Sequence, residues 1–341
     1  MRNAGVLTAV LLSAAAAAGG EPVTEMGKLA ASMKPGEWKK LETRGYGTEL
    51  LKVQGHNILQ YTHDATWHPG TRQILFVGQG HYSDLRFITY SADTNTWQQR
   101  PTPWWKRGPK AKGGPGFAIG HAYDNNAVLG GFFYHQQYPK GTPLRTYEIA
   151  TGKWTDTEVP KSTGHGPGHS STLEPFPELG GLVRISYGKV HLYETAKKSW
   201  RELGKVGDLK IHPVAEYNPV RKVMIFGGGN GNKVLYKLDA EGKITKLKDV
   251  PLDFINSTHR FVLTSDPVSG EYLLVQNGDR RKKTPSKFYA YEVDKDEWRE
   301  LGGETKGGVA APVPNYGVNV FCTYRPPEVW LYRHSAANGT K

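Results

Sequence analysis

The 341-residue chain has one cysteine, Cys322, which excludes an internal disulfide. A chain of this size builds a core that needs no such staple, even outside the cell. Cys322 sits in the strand-like run VNVFCTY and reads as a small buried hydrophobe. After the first twenty residues no segment is apolar enough to cross a bilayer, so no membrane insertion is expected. The twelve histidines show neither an HxH nor an HExxH spacing, and GHGPGH, with His165 and His169, is too flexible to fix a metal geometry. The one glycine run resembling a phosphate loop, GGGNGN at 227–232, leads into a strand and not a helix, which argues against nucleotide binding.

What is abundant points to a β protein. Gly (41), Pro (22), Tyr (18) and Trp (9) favour many short strands and tight turns over long helices. Residues 5–18, GVLTAVLLSAAAAA, follow Arg2 and run into small residues, the pattern of a secretory signal peptide. Cleavage is expected near Ala18 to Gly20, which makes 1–20 a signal, 21–335 one domain and 336–341 a polar tail. The mature protein is expected to be secreted or periplasmic and monomeric. Its formal net charge of +12 suits an anionic polysaccharide better than nucleic acid in that setting, with solubility charge as the plainer reading.

A repeat organises the chain. GHAYDNNAVLGGFFYHQ with TYEIATGKW is followed by GHSSTLEPFPELGGLVRISYG with LYETAKKSW. Tyr90 to Trp97, Tyr147 to Trp154, Tyr193 to Trp200 and Tyr291 to Trp298 share one spacing, and Ile244 stands near the Trp position of the fourth copy. Units of this kind, each holding four strands, predict propeller blades. The first is expected from about Ile58, with a strand near His63. The last unit supplies only three strands, and an orphan strand at Trp38 supplies the fourth, which closes the ring. The expected fold is an all-β, six-bladed propeller, with seven blades the alternative.

Two diglycines, Gly130-Gly131 and Gly227-Gly228, placed after strand two, together with the Tyr-x6-Trp spacing, resemble the kelch repeat over nearly the whole mature chain. That resemblance implies a fold and leaves function open, since kelch propellers include enzymes and binding modules. In such a ring, strand one begins on the face where strand two ends. His63, His121, His169, His212 and His259 fall near the start of strand one in five successive repeats. His81, Tyr134, His135, Tyr187, Asn230, Asn277, Arg280, Tyr324 and Arg325 fall near the end of strand two. Arg260 and the long loop carrying Trp104 and Trp105, with Lys106 and Arg107, join the same mouth. For any single histidine the plainer reading is a core residue bonded to backbone. Aromatic faces stack on sugar rings, and adjacent cations hold carboxylate or sulfate. Tyr187 stands where the fourth repeat has glycine.

These residue types suit β-elimination on a uronate. Histidine or arginine neutralises the carboxylate, a base takes the C5 proton, and an acid protonates the leaving oxygen. His121, His135 and Tyr187 are the candidate catalytic set. The arrangement is similar to that of the propeller-fold ulvan lyases, which place two histidines of one blade and a tyrosine of the next at the channel mouth. The resemblance implies Tyr187 as base and acid, with no metal and no cofactor. Those lyases look seven-bladed, and their arginine has no secure counterpart here: Arg184 and Arg201 are poorly placed, while Arg260 and Arg280 are candidates. Two alternatives stand beside it, a non-catalytic glycan- or protein-binding propeller and a sugar-acid mutarotase or epimerase. Kelch copper-radical oxidases fit poorly, because they need a cysteine joined to a tyrosine in the site.

Overall fold

The computed structural model describes residues 23–53, 56–79, 85–102, 126–136, 144–157, 171–207, 209–253, 255, 260–278, 283–303 and 305–336. A short helix, α1 (Glu25–Ala31), capped by the Thr24 side chain, precedes strand β1 (Glu37–Lys40). Then come α2 (Thr48–Leu51) and a small ribbon of β2 (Lys52–Val53) with β3 (His56–Asn57).

Six four-stranded antiparallel sheets follow. Blade one is β4 (Thr66–His68), β5 (Gln73–Gln79), β6 (Leu85–Ser91) and β7 (Thr96–Arg100). Blade two is β8 (Asn126–Leu129), β9 (Phe132–His135), β10 (Leu144–Glu148) and β11 (Lys153–Thr157). Blade three is β12 (Ser171–Phe176), β13 (Gly181–Ser186), β14 (Lys189–Glu194) and β15 (Ser199–Lys205). Blade four is β16 (Pro213–Asn218), β17 (Val223–Gly228), β18 (Leu235–Leu238) and β19 (Ile244–Lys246). Blade five is β20 (Phe261–Ser265), β21 (Tyr272–Gln276), β22 (Lys287–Glu292) and β23 (Glu297–Glu300). Blade six is β24 (Val309–Val313), β25 (Val318–Cys322) and β26 (Val329–Arg333), completed by β1. Innermost strands meet in the cyclic order β4, β8, β12, β16, β20, β24 and back to β4. The fold is a closed six-bladed propeller.

The sequence repeat has a local cause. The residue two before each Trp position is left-handed: Asn95, Gly152, Lys198, Gly242 and Asp296. It turns strand three into strand four and sets the Tyr and Trp opposite each other, as in Tyr90↔Trp97 and Tyr291↔Trp298. A second left-handed position turns strand one into strand two in all six blades: Arg72, Gly130, Gly180, Lys222, Gly270 and Gly317. Gly130-Gly131 therefore lies between strands one and two, and only Gly227-Gly228 ends a second strand. The two diglycines are not equivalent, which corrects the expectation that both follow strand two. A GG pair serves either a left-handed turn or a close backbone approach, and sequence does not tell these apart.

The start of blade one is also corrected. Its first strand is Thr66–His68, and the residues before it lie in the central channel. The chain leaves β1, climbs the seam between blades six and one, and packs Leu41, Leu51, Val53, Ile58 and Leu59 into the core there. Residues 61–65 then touch the innermost strands of three other blades. The buried His63 ring lies against the Phe261 and Leu263 carbonyls of β20, at 3.0 and 2.8 Å. The Asp64 carbonyl accepts from Asn126 Nδ2 of β8 (3.2 Å), and Ala65 N donates to Ala310 O of β24 (2.8 Å). The segment that enters blade one thus lies among the innermost strands, in the central channel.

Candidate functional site

The mouth face carries the connections that enter strand one and those that leave strand two. Tyr187 occupies the shortest described one. Ser186 pairs with Lys189, so Tyr187 and Gly188 alone form the turn, with φ of 50° and 77°. Both central residues are left-handed, the geometry of a type I′ hairpin. Gly188 is required: a Cβ there would press on the carbonyl oxygens of Val206 and Gly207. Tyr187 has no such excuse, and a left-handed tyrosine costs about 1–2 kcal/mol. Its side chain is spread on the surface at 45 % exposure. Counted from the left-handed turns at Gly180 and Lys222, it matches Gly229, one place beyond the diglycine.

Blade four brings two of the expected residues together. His212, also left-handed at φ 68°, has its Nδ1 3.0 Å from Asn230 Oδ1, so Nδ1–H donates to the amide oxygen. Backbone closes the same corner, with Asn230 N donating to Ile211 O at 2.8 Å. Gly229 is required here because a Cβ would meet the Lys210 and Ile211 carbonyl oxygens. Tyr61, which the sequence reading did not single out, lies with its ring centroid 5.7 Å from that of His212. It comes from the segment that enters blade one, so blades one and four, opposite each other in the ring, meet at the mouth. The only sequence signal for it was its place two residues before His63. Arg260 is exposed, and its carbonyl accepts from Asn277 N at 2.7 Å. Tyr324 and Arg325 begin the connection after β25, with the Arg325 guanidinium 5.3 Å from the Tyr324 ring.

Three of the expected residues are turned inward instead. His63 is fully buried, and desolvation lowers its pKa to about 4, so the ring is neutral. It accepts the Leu263 amide on Nε2 at 2.9 Å, and Nδ1–H faces the Phe261 carbonyl. This is a core histidine bonded to backbone. His135, the inner end of β9, is buried with Nδ1 3.0 Å from Asn126 Oδ1, the same oxygen that accepts Val77 N. Tyr134 packs between blades two and three with Leu173 and Tyr193, and burial raises its phenol to about 12. Strand alternation does not separate an inward histidine at a strand end from an outward one. His81, Trp104, Trp105, His121, His169, His259 and Arg280 lie outside the described residues, as do His165, Lys106 and Arg107.

Arg184 is buried at 1 % exposure, with its guanidinium 4.5 Å from the Trp200 ring and NH1 3.3 Å from Gln136 Oε1. Desolvation lowers its pKa to about 10. It is thus a packing cation between blades two and three. Arg201 is on the outer strand β15, 3.7 Å from Glu194. Below the mouth, Asp64 and Glu216 are both buried, and the charge of Asp64 reaches Glu216. Burial pushes Asp64 up to about 8, and burial with the charge of Asp64 raises Glu216 well above the usual carboxylate range. Glu216 Oε1 accepts Ser265 N and Oγ at 2.9 and 2.8 Å, tying blade four to blade five.

No family model matches this sequence, and no curated protein does. Solved structures match the fold. A fungal alcohol oxidase of the AA5 family, solved in complex with copper, has a TM-score of 0.50 at 11 % identity over 82 % of this chain, which spans 63 % of the oxidase. The protein YjhT has a TM-score of 0.52 at 11 % identity, over 82 % of this chain and 95 % of its own. At such identity the likeness is one of propeller fold. Among the described residues no three His, Cys, Asp or Glu side chains gather for a metal ion. Cys322, the lone thiol, is buried beside the Tyr46 phenol in blade six, and burial raises its pKa.

Proposed function

We propose that this protein is an exported polysaccharide lyase that cleaves a uronate-containing polymer on the mouth face by β-elimination. The observation that carries the reading is Tyr187: a phenol held out on a two-residue turn in a conformation that favours glycine. Arg72, Lys198 and Lys222 are left-handed too, in turns that only join strands; Tyr187 is set apart from them by placing a phenol on the mouth face. Around the same face stand Tyr61, His212 with Asn230, and Arg260, a set able to stack on a sugar and hold a carboxylate.

In the reaction, Tyr187 takes the proton from C5 of the uronate. The electron pair of that C–H bond forms the C4–C5 double bond as the C4–O bond breaks. The departing oxygen then takes the proton back from the tyrosine. A cation on the uronate carboxylate stabilises the charge that builds next to C5. Arg260 or His212 fills this role; His121, which the sequence also offers for it, lies outside the described residues. With residues 63–65 lying among the innermost strands, we place the polymer across the mouth face and not through the ring.

The inward turn of His63 and His135 favours a second reading, a mouth that binds acidic glycan without cleaving it. The two are separated by incubating the protein with alginate, polygalacturonate, hyaluronan and ulvan while following absorbance of the unsaturated uronate. A rise with wild type that is absent with Tyr187→Phe supports the lyase. Binding to a polymer with no rise on any of them establishes the second reading.

A further inference from the structure

The geometry points to a second carbohydrate subsite at the rim of the mouth face, in the cavity of about 430 Å³ lined by Thr48, Tyr324, Arg325, Pro326 and Pro327. We assign it to an acidic pyranose unit of the same polymer, bound at blade six while Tyr187 stands on blade three. The assignment rests on the reading of the face as a uronate-polymer site.

Its two walls come from distant parts of the chain. Thr48 opens α2, in the segment that climbs the seam between blades six and one. Residues 324–327 belong to the connection from β25 to β26. That connection is braced from within. Thr323 N donates to Glu328 O at 2.9 Å, Thr323 Oγ1 donates to Pro326 O at 2.6 Å, and Glu328 N donates to Thr323 Oγ1 at 3.2 Å. Tyr46 Oη ties it to the seam by donating to Thr323 O at 2.8 Å. A loop held this way presents its side chains with little left to order on binding, which favours affinity.

The chemistry matches one ring with one negative charge. Tyr324 is half-buried and offers an aromatic face, and a pyranose stacks on such faces. Arg325 is exposed, and among the described residues it has no acidic partner. The nearest carboxylate in the loop, Glu328, is engaged by Lys40 at 3.5 Å. A guanidinium in that state binds a carboxylate through two parallel hydrogen bonds. The Thr48 hydroxyl can serve one sugar hydroxyl, and the two prolines make a wall of fixed shape.

The test is calorimetric titration of the full-length protein and of Arg325→Ala. The probe is the uronate polymer that wild type binds tightest in the panel above, together with its disaccharide and with dextran sulfate. Among the described residues the exposed Arg325 side chain has no hydrogen-bond partner, so an unchanged melting temperature is the control for folding. The expected result is a roughly tenfold loss of affinity for the polymer, the size of one charge-assisted contact. Affinity for the disaccharide, which reaches only the centre of the mouth, is expected to stay constant. Equal polymer binding by wild type and variant overturns the subsite and leaves the lyase reading intact. An equal loss towards dextran sulfate overturns the carboxylate assignment. Absence of wild-type binding to every uronate polymer overturns the reading on which the subsite rests.

Discussion

Trp38 pairs with Tyr332 across β1 and β26, with ring centroids 4.5 Å apart. It is the same cross-strand pair as Tyr90 with Trp97 in blade one, but here its two members come from opposite ends of the chain. Trp38 also lies 4.8 Å from Phe321 and 5.9 Å from Phe288, so one residue stitches β1 to blades five and six. Trp38→Ala is expected to cost at the lower end of about 3–5 kcal/mol, because the indole is only half-buried. It should also open the ring first at blade six. Urea unfolding gives the loss, and hydrogen exchange at β24–β26 shows where it begins.

The turn at Tyr187 separates folding from function. Tyr187→Gly removes a left-handed side chain and is expected to stabilise the protein by up to about 1–2 kcal/mol. Tyr187→Phe keeps both the ring and the strain, so its stability should match wild type. Both variants should lose elimination activity. Thermal melts beside the absorbance assay check this, and a Tyr187→Gly protein that is more stable yet fully active would remove Tyr187 from the site.

The carboxyl pair in the channel makes stability fall with rising pH. The Asp64 carboxyl has a folded pKa of about 8, against about 4 when unfolded, so the native state binds the extra proton. Its contribution is complete below pH 4 and is lost as pH rises through 8. Glu216 is shifted in the same direction. Asp64→Asn removes one of the protons lost in that window. Melting temperatures of the variant between pH 5 and pH 9 should decline less steeply than those of wild type.

The second glycine of two similar turns behaves differently. A Cβ on Gly131 meets nothing within 4 Å, whereas one on Gly181 would land on the Tyr193 carbonyl oxygen. Gly131→Ala should therefore be neutral within about 0.5 kcal/mol, the range of surface changes. Gly181→Ala should displace β14 and destabilise blade three by more than 1 kcal/mol. Chemical denaturation of the two variants makes the comparison.

Much of the ring was legible from one dimension. The Tyr-x6-Trp spacing works because a left-handed residue two before the Trp sets the two residues opposite each other with their rings in contact, and that constraint is local. The orphan strand at Trp38 was legible for the same reason: it carried half of a pair whose other half ended the chain. The site was legible only in part. His212 and Asn230 do meet, since the loops that bear them are neighbours in one blade. His63 was expected at the repeat position of His212, and His135 at that of Asn230, yet they are spent on the backbone of β20 and on Asn126.

The sequence by itself determined the repeating unit and the number of blades, because each depends on strand pairs and turns close together along the chain, and it signalled the closure of the ring through the unpaired strand at Trp38. It also marked Tyr187 as a departure from that unit. Only the tertiary structure decided which side chains reach the mouth. It set residues 63–65 against the innermost strands of other blades, set Tyr61 against His212, and buried Asp64 within electrostatic reach of Glu216. Those contacts join opposite sides of the ring, and their partners are fixed by the path of the chain across the closed propeller, which no local pattern encodes.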